Sequence, residues 1–406
     1  MTVAFATVLL GLLVGVQPVE LEVGADVARV ELRLDGELVG QRTGPPWVIP
    51  CDFGEDLAPH ELVAIARDSL GNEMRRARQW VNLPPEPAGT GRPGGLRART
   101  AVAVEVGKRG RDLDVQALAD HLTVEGRPVE PAAVEKGPAE VVVVVDRGAW
   151  SGLRRMADLN PEALKPGRPI TAVPIEPRTN PVYLQPGRWP GRRVLEGDES
   201  AAEANARRMA FLRATMRLEE GQLVRFLWPH SEEDGEDGED REAEEGDDRI
   251  VHPASFRRSS AYPPSFGGML WLLAVAHLPD LVAQEQRLAD AVAAAGSVAA
   301  GSGRRAVVLV LGEQPSDASR LAPRTVRRYL EHLGVPLQVW AVGTVPDAVR
   351  EAWGGVRPVP KKRALKRAVQ QLSESLERQR IVWLEGGHLP QDVALTGATD
   401  DLRLVR

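Results

Sequence analysis

Asp146 ends a run of five valines, Val141 to Val145, and is followed by Arg147-Gly148-Ala149-Trp150. A carboxylate at the tip of such a strand can serve as a hard oxygen ligand, as an acid or base, or as a contact for a basic partner. A second apolar run, Ala306 to Leu311, leads into Gly312-Glu313. If both runs are parallel strands of one open sheet, the two acids share a crevice, because ligands of such sheets sit outside the carboxyl ends of the strands. The candidate site is therefore Asp146, Arg147, Trp150 and Glu313, read as a metal-free partner-binding surface. Trp150 is its expected anchor, since indoles are enriched among interface hot spots. Two alternatives use the same residues: a cation-dependent adhesion module holding an ion through Asp146, and a hydrolase working in the strand-end crevice near Asp146 and Glu313.

Other chemistries find little support. The single cysteine, Cys51, excludes an intramolecular disulfide and a Cys-based zinc site, and is expected to be a buried small apolar residue. The seven histidines (60, 121, 230, 252, 277, 332 and 388) form no i, i+4 pair, and H-E-x-x-H and G-x-S-x-G do not occur. No catalytic residue, metal or cofactor is therefore expected. Gly296 to Ser302 has the glycine spacing of a phosphate-binding loop, but it lacks the lysine and precedes a strand, so it reads as an ordinary loop. The acidic stretch 231–248, in which Glu232 to Asp248 carries twelve acids and one base, lacks the ligand order of an EF-hand and reads as a solvated, disordered loop.

The formal net charge of −6 comes from that stretch, because the remainder carries 50 bases against 45 acids. Neither balance is the basic footprint of a nucleic-acid binder, so nucleic acid is not an expected partner. A small-molecule substrate is not expected either, and the expected partner is a protein of unknown identity. Residues 2–19 are uncharged, and Val3 to Val16 have the length of a signal-peptide core. Residues 1–18 are thus expected to be an export signal or N-terminal anchor, which makes the protein extracytoplasmic, with a buried first strand as the alternative. No other stretch reads as an integral membrane span, since Met269 to Ala276 is interrupted by His277 and Asp280.

The elements that must hold the site follow from periodicity. Val30 to Leu34 alternates, Asp35-Gly36 is a hairpin dipeptide, and Glu37 to Gly40 begins the return strand. With further strands at Trp47–Ile49, Glu61–Ala66 and Gln79–Asn82, this predicts a small sandwich over 19–83, and the Pro- and Gly-rich 84–99 a linker. Next come a strand at Val102–Val106, an amphipathic stretch at Leu113–Leu122 and a hairpin at Val124–Val129. The valine run, uninterrupted and β-branched, suits a central strand covered on both faces. Strands are also expected at Ile170–Ile175, Pro181–Leu184, Ala306–Leu311 and Leu337–Val342. Helices are expected from the Ser200-x-x-Glu203 capping box to Leu218, and at Gly268–Ala295, Arg320–Leu333 and Leu365–Leu376. The order predicts an α/β domain over 100–385, with 386–406 as an extension.

Two resemblances sharpen this reading. Val27 to Val39, Pro45-Pro46-Trp47, and Val63 to Asp68 with Gly71-Asn72 resemble the bacterial Ig-like module that precedes VWFA-related domains in exported proteins. Glu125-Gly126-Arg127-Pro128 is similar to the hairpin that leads into a VWFA-related domain, and Trp353-Gly354-Gly355 to Val359 with the helix after it is similar to the close of a von Willebrand factor A domain. The resemblance implies a doubly wound, mostly parallel α/β fold with a divalent-cation site built on D-x-S-x-S. Here only Asp146 of that motif is present, with Gly148 and Trp150 in place of the two serines and Leu311-Gly312-Glu313 where Thr-Asp-Gly would stand. It therefore implies a degenerate metal site.

Overall fold

The structure is a computed structural model that describes residues 3–7, 9, 11–84, 99–107, 115, 118, 121–149, 152, 153, 156, 222–231, 250–258, 285–301, 303–396 and 402–406. The expected strands at 170–175 and 181–184, the helix at 200–218, residues 85–98 of the linker, Trp150, most of the acidic stretch and all of 268–284 lie outside these residues.

The N-terminal part is all-β. Its strands are β1 (Val3–Phe5), β2 (Leu12–Leu13), β3 (Val16–Val23), β4 (Arg29–Leu34), β5 (Glu37–Arg42), β6 (Val48–Asp52), β7 (His60–Arg67) and β8 (Glu73–Val81). One sheet has the order β1-β3-β6 and the other β5-β4-β7-β8, all antiparallel. Alternation puts Val19 and Leu21 of β3 and Val30 and Leu32 of β4 into one core with Ile49, Leu62 and Ala64. Cys51 is fully buried there, and burial pushes its thiol up to about 11. The Asp35-Gly36 turn takes left-handed φ values of 51° and 84°, the backbone that a tight hairpin demands.

Residues 1–18, expected as an export signal or anchor, supply β1, β2 and the start of β3. β1 pairs with β3, while β2 pairs with β15 (Ile250–Val251), far along the chain. Neighbouring side chains of β2 enter different cores, Leu13 the sandwich and Leu12 the α/β part. Asn82 clasps this junction: its side chain accepts the Leu13 N–H at 2.7 Å and donates to the Leu13 carbonyl at 2.9 Å. Its own carbonyl accepts the buried Tyr329 hydroxyl at 3.0 Å.

After the sandwich come β9 (Arg99–Val106), β10 (Leu122–Val124), β11 (Arg127–Pro128) and β12 (Pro131–Glu135), then β13 (Ala139–Val145), β14 (Gln222–Ser231), β15 and β16 (Phe256–Arg258). They are followed by α1 (Leu288–Ala300), β17 (Arg304–Leu311), α2 (Pro323–His332), β18 (Leu337–Ala341), α3 (Asp347–Ala352), β19 (Arg357–Pro358) and α4 (Lys362–Arg378). A six-stranded sheet has the order β16-β14-β13-β17-β18-β19, parallel except for β16. Both faces of β13 are covered. Val142 and Val144 pack with α1, whereas Val141, Val143 and Val145 pack with Leu365, Ala368 and Leu372 of α4. Hence every position of the run is apolar, each buried valine contributing roughly 1.5–3 kcal/mol.

The span 100–385, expected as one α/β domain, carries a second kind of sheet. β20 (Gln379–Glu385), β21 (Val393–Leu395) and β22 (Leu402–Leu404) return to the start of the span. They form antiparallel sheets of order β12-β20-β9-β22 and β11-β10-β21, so the tail 386–406 belongs to sheets begun at residue 99. Arg305 and Gln379 join the two sheet systems, with the Arg305 N–H donating to Gln379 Oε1 at 2.8 Å and Gln379 Nε2 donating to the Arg305 carbonyl at 3.0 Å. Gly296 to Ala300, expected as part of a loop, is instead the C-terminal part of α1. Gly296 is there because α2 presses close: an added Cβ would lie 2.6 Å from Leu330 Cδ1. Among the described residues no helix is long and apolar enough to cross a membrane.

Candidate functional site

The parallel strands bring the tips of β13, β17 and β18 to one end of the sheet. β13 delivers Asp146, a 3-10 turn at Arg147–Ala149 follows, and β17 delivers Gly312 and Glu313. The loops touch backbone to backbone, since a Cβ on Gly312 would lie 2.4 Å from the Gly148 carbonyl carbon. A Cβ on Gly148 would sit 3.1 Å from Asp146 Oδ2. Both glycines thus serve close packing around a carboxylate that folds back under its own loop.

Asp146 is 1% exposed, and each of its oxygens accepts an N–H. The Gly148 amide and Gln286 Nε2 donate to Oδ1, each at 3.1 Å, and the Gly312 amide donates to Oδ2 at 2.8 Å. The Asp146 amide donates to the Val310 carbonyl at 2.8 Å. Gln286, buried just before α1, was missed by sequence reasoning. Its Oε1 accepts the Arg147 amide at 2.6 Å, and its Nε2 also donates to Ser316 Oγ at 3.1 Å. A glutamine within Gln284-Glu285-Gln286-Arg287 gives no sign of such a role.

A second carboxylate pair supports this end of the sheet. Asp317 accepts the Leu288 and Ala289 amides at 2.8 and 3.3 Å and Ser319 Oγ the Asp290 amide at 3.1 Å, together closing the start of α1. Burial pushes its carboxyl above the ordinary range, while the Ser319 hydrogen bonds pull it down. Asp290, fully buried, accepts the Arg320 and Leu321 amides and the Arg287 guanidinium.

The candidate residues therefore occupy different environments. Asp146 is buried beneath the face, whereas Arg147 and Glu313 are exposed on the abutting loops. The Glu313 stem lies across Gly343, where a Cβ would meet its Cγ at 2.3 Å. Trp150 lies outside the described residues. Among those residues, no three His, Cys, Asp or Glu side chains gather as a metal cluster would require.

No protein-family model matches the chain, and no curated protein matches it. Among solved structures, the fibronectin(III)-like modules of CbhA from Clostridium thermocellum align at 16% identity over 20% of this chain and 93% of theirs, with a TM-score of 0.18. The N-terminal domain of TFIIH p34 aligns at 11% identity over 59% of this chain and 97% of its own, with a TM-score of 0.23. At these identities and scores neither establishes a family. The all-β N-terminal part and the later parallel sheet with helices follow from the strand pairing itself.

Proposed function

We propose that this chain is a non-enzymatic protein-binding or scaffolding protein, with an Ig-like module and a von Willebrand A-type α/β domain whose strand-end face meets its partner without a cation. The observation that supports this is the bonding of Asp146, whose two oxygens accept three N–H donors. Oxygens engaged by N–H donors are turned away from a hard divalent ion, and neither Gly148 nor Gly312 has a side chain to supply the hydroxyls such an ion needs. The donor set does not fit the ion that the family implies. What the face presents instead is an exposed cation, Arg147, and an exposed anion, Glu313, on two abutting loops held by a buried network. The parallel order β14-β13-β17-β18-β19 with helices on both faces adds to the sequence resemblance. The proposal keeps the extracytoplasmic setting implied by that resemblance, with the strands of residues 3–18 retained in the folded protein instead of removed.

Affinity capture with the full chain, run with and without a chelator, tests this reading. The same partner should be retained in both conditions, and lost from Arg147→Glu combined with Glu313→Lys while melting is unchanged. Micromolar binding of Mg2+, Mn2+ or Ca2+ by calorimetry, abolished in Asp146→Ala, would overturn it.

A further inference from the structure

Away from the strand ends, the outer face of the sandwich sheet β5-β4-β7-β8 carries a charge pattern that the strand-end reading does not use. Register sets its rows: Arg33 on β4 lies beside Val63 on β7 and Arg78 on β8, and Glu31 beside Ile65 and Arg76. Arg29 lies beside Arg67 and Glu73, and at the opposite end Glu61 lies beside Trp80. Five guanidiniums thus share the face with three carboxylates, an excess of two positive charges.

The pairing shows where the excess sits. Arg78 Nε meets Glu61 at 2.7 Å, and Arg76 meets Glu73 through two contacts of 3.2 and 3.0 Å. Glu31 is taken up bidentately by Arg67 at 2.8 and 3.1 Å. Arg29 reaches Glu31 through one contact of 3.1 Å, and Arg33 through one of only 3.8 Å. The surplus cations are therefore Arg29 and Arg33, whose side chains are 38% and 35% exposed. Between the arginines runs a groove of about 310 Å³, lined by Arg33, Arg67, Arg76 and Arg78 and floored by Val63 and Ile65.

We infer that this groove is a docking site for a short acidic peptide segment in extended conformation, with two or three carboxylates separated by apolar residues. Arg76 and Arg78 stand two residues apart on one strand, so their spacing, about 6–7 Å, matches that of carboxylates at i and i+2 of an extended peptide, which would share these guanidiniums with Glu73 and Glu61 and draw on the surplus charge of Arg33 beside them. Intervening apolar side chains have the Val63 and Ile65 floor to rest on, and guanidinium forks suit carboxylates. The fixed carboxylates Glu73 and Glu61 bound the cationic rows at opposite ends. A continuous polyanion would run into them, whereas a short acidic motif fits between.

Fluorescence anisotropy with the full chain and a labelled peptide of alternating glutamate and valine tests this. The wild type should bind with a Kd on the order of 10–100 μM, weakening as salt rises. Arg33→Glu with Arg76→Glu should weaken binding by about tenfold or more, because the groove then repels the peptide. Arg33→Gln, which removes the loosest ion pair and one exposed hydrogen bond to the Gly36 carbonyl and keeps the fold testable should the double variant fail to fold, should weaken it by about threefold. The inference is overturned if a lysine-valine peptide binds as well as the glutamate peptide, or if a folded variant binds like the wild type. It is equally overturned if oligothymidylate binds more tightly than the glutamate peptide and displaces it, which would make the face a polyanion site.

Discussion

Glu31 in the sandwich and Asp146 at the end of the parallel sheet are both buried carboxylates, 7% and 1% exposed, yet they are satisfied in opposite ways. Glu31 is surrounded by the guanidiniums of Arg29, Arg33 and Arg67, and Asp146 by two backbone amides and a neutral glutamine amide. Neutral donors come with backbone attached, so satisfying Asp146 fixes two loops against each other and fills the space above it. Guanidiniums arrive on flexible stems with full charges, so satisfying Glu31 overcompensates it and leaves a cationic surface. The same kind of residue thus closes one region and opens the other.

The largest test of this contrast is Asp146→Ala, which leaves two backbone N–H groups and Gln286 Nε2 without their acceptor. Urea denaturation should show a loss of roughly 3–5 kcal/mol, and a loss below about 1 kcal/mol would mean that the amides find water instead. Gly312→Ala probes the backbone contact, placing a methyl 2.4 Å from the Gly148 carbonyl carbon. It should cost about 2–3 kcal/mol by the same measurement.

Glu31→Gln should cost less, about 1–2 kcal/mol, because the arginines around it remain partly hydrated. Its sharper signature is pH. The Arg67 hydrogen bond foremost, with the charges of Arg67, Arg29 and Arg33, holds the Glu31 carboxyl below its ordinary 4.5. Its contribution is complete above that value and is lost as pH falls through the lowered folded value. The wild type should lose stability over that acid window, and Glu31→Gln should flatten the decline. The smallest expected effect is that of metal. Millimolar Mg2+ or EDTA should leave the melting temperature unmoved, whereas a rise of several degrees with Mg2+ would reveal binding to the native state.

Much of the fold was legible where the signal is local. The Asp35-Gly36 hairpin, the valine strand, α2, β18 and α4 each announce themselves within a dozen residues, through turn chemistry or hydrophobic period. The tip position of Asp146 was legible for the same reason. Its burial was not, because two of its donors, Gln286 and Gly312, lie 140 and 166 residues away in sequence. The pairing of β9 with β20 and β22 was equally hidden, since an apolar alternating strand does not name its neighbour. Gly148 and Gly312 read in sequence as lost ligands. In the structure they are the condition for close approach, and only the distance to the facing backbone tells the two apart.

The bond between β2 and β15 also sets an order of events during synthesis. Leu12 emerges from the ribosome well before its partner Val251, which follows only after the sandwich strands and the valine strand have been made. Through that interval the nascent chain carries an apolar edge with nothing to cover it, the kind of surface on which aggregation and chaperone capture begin.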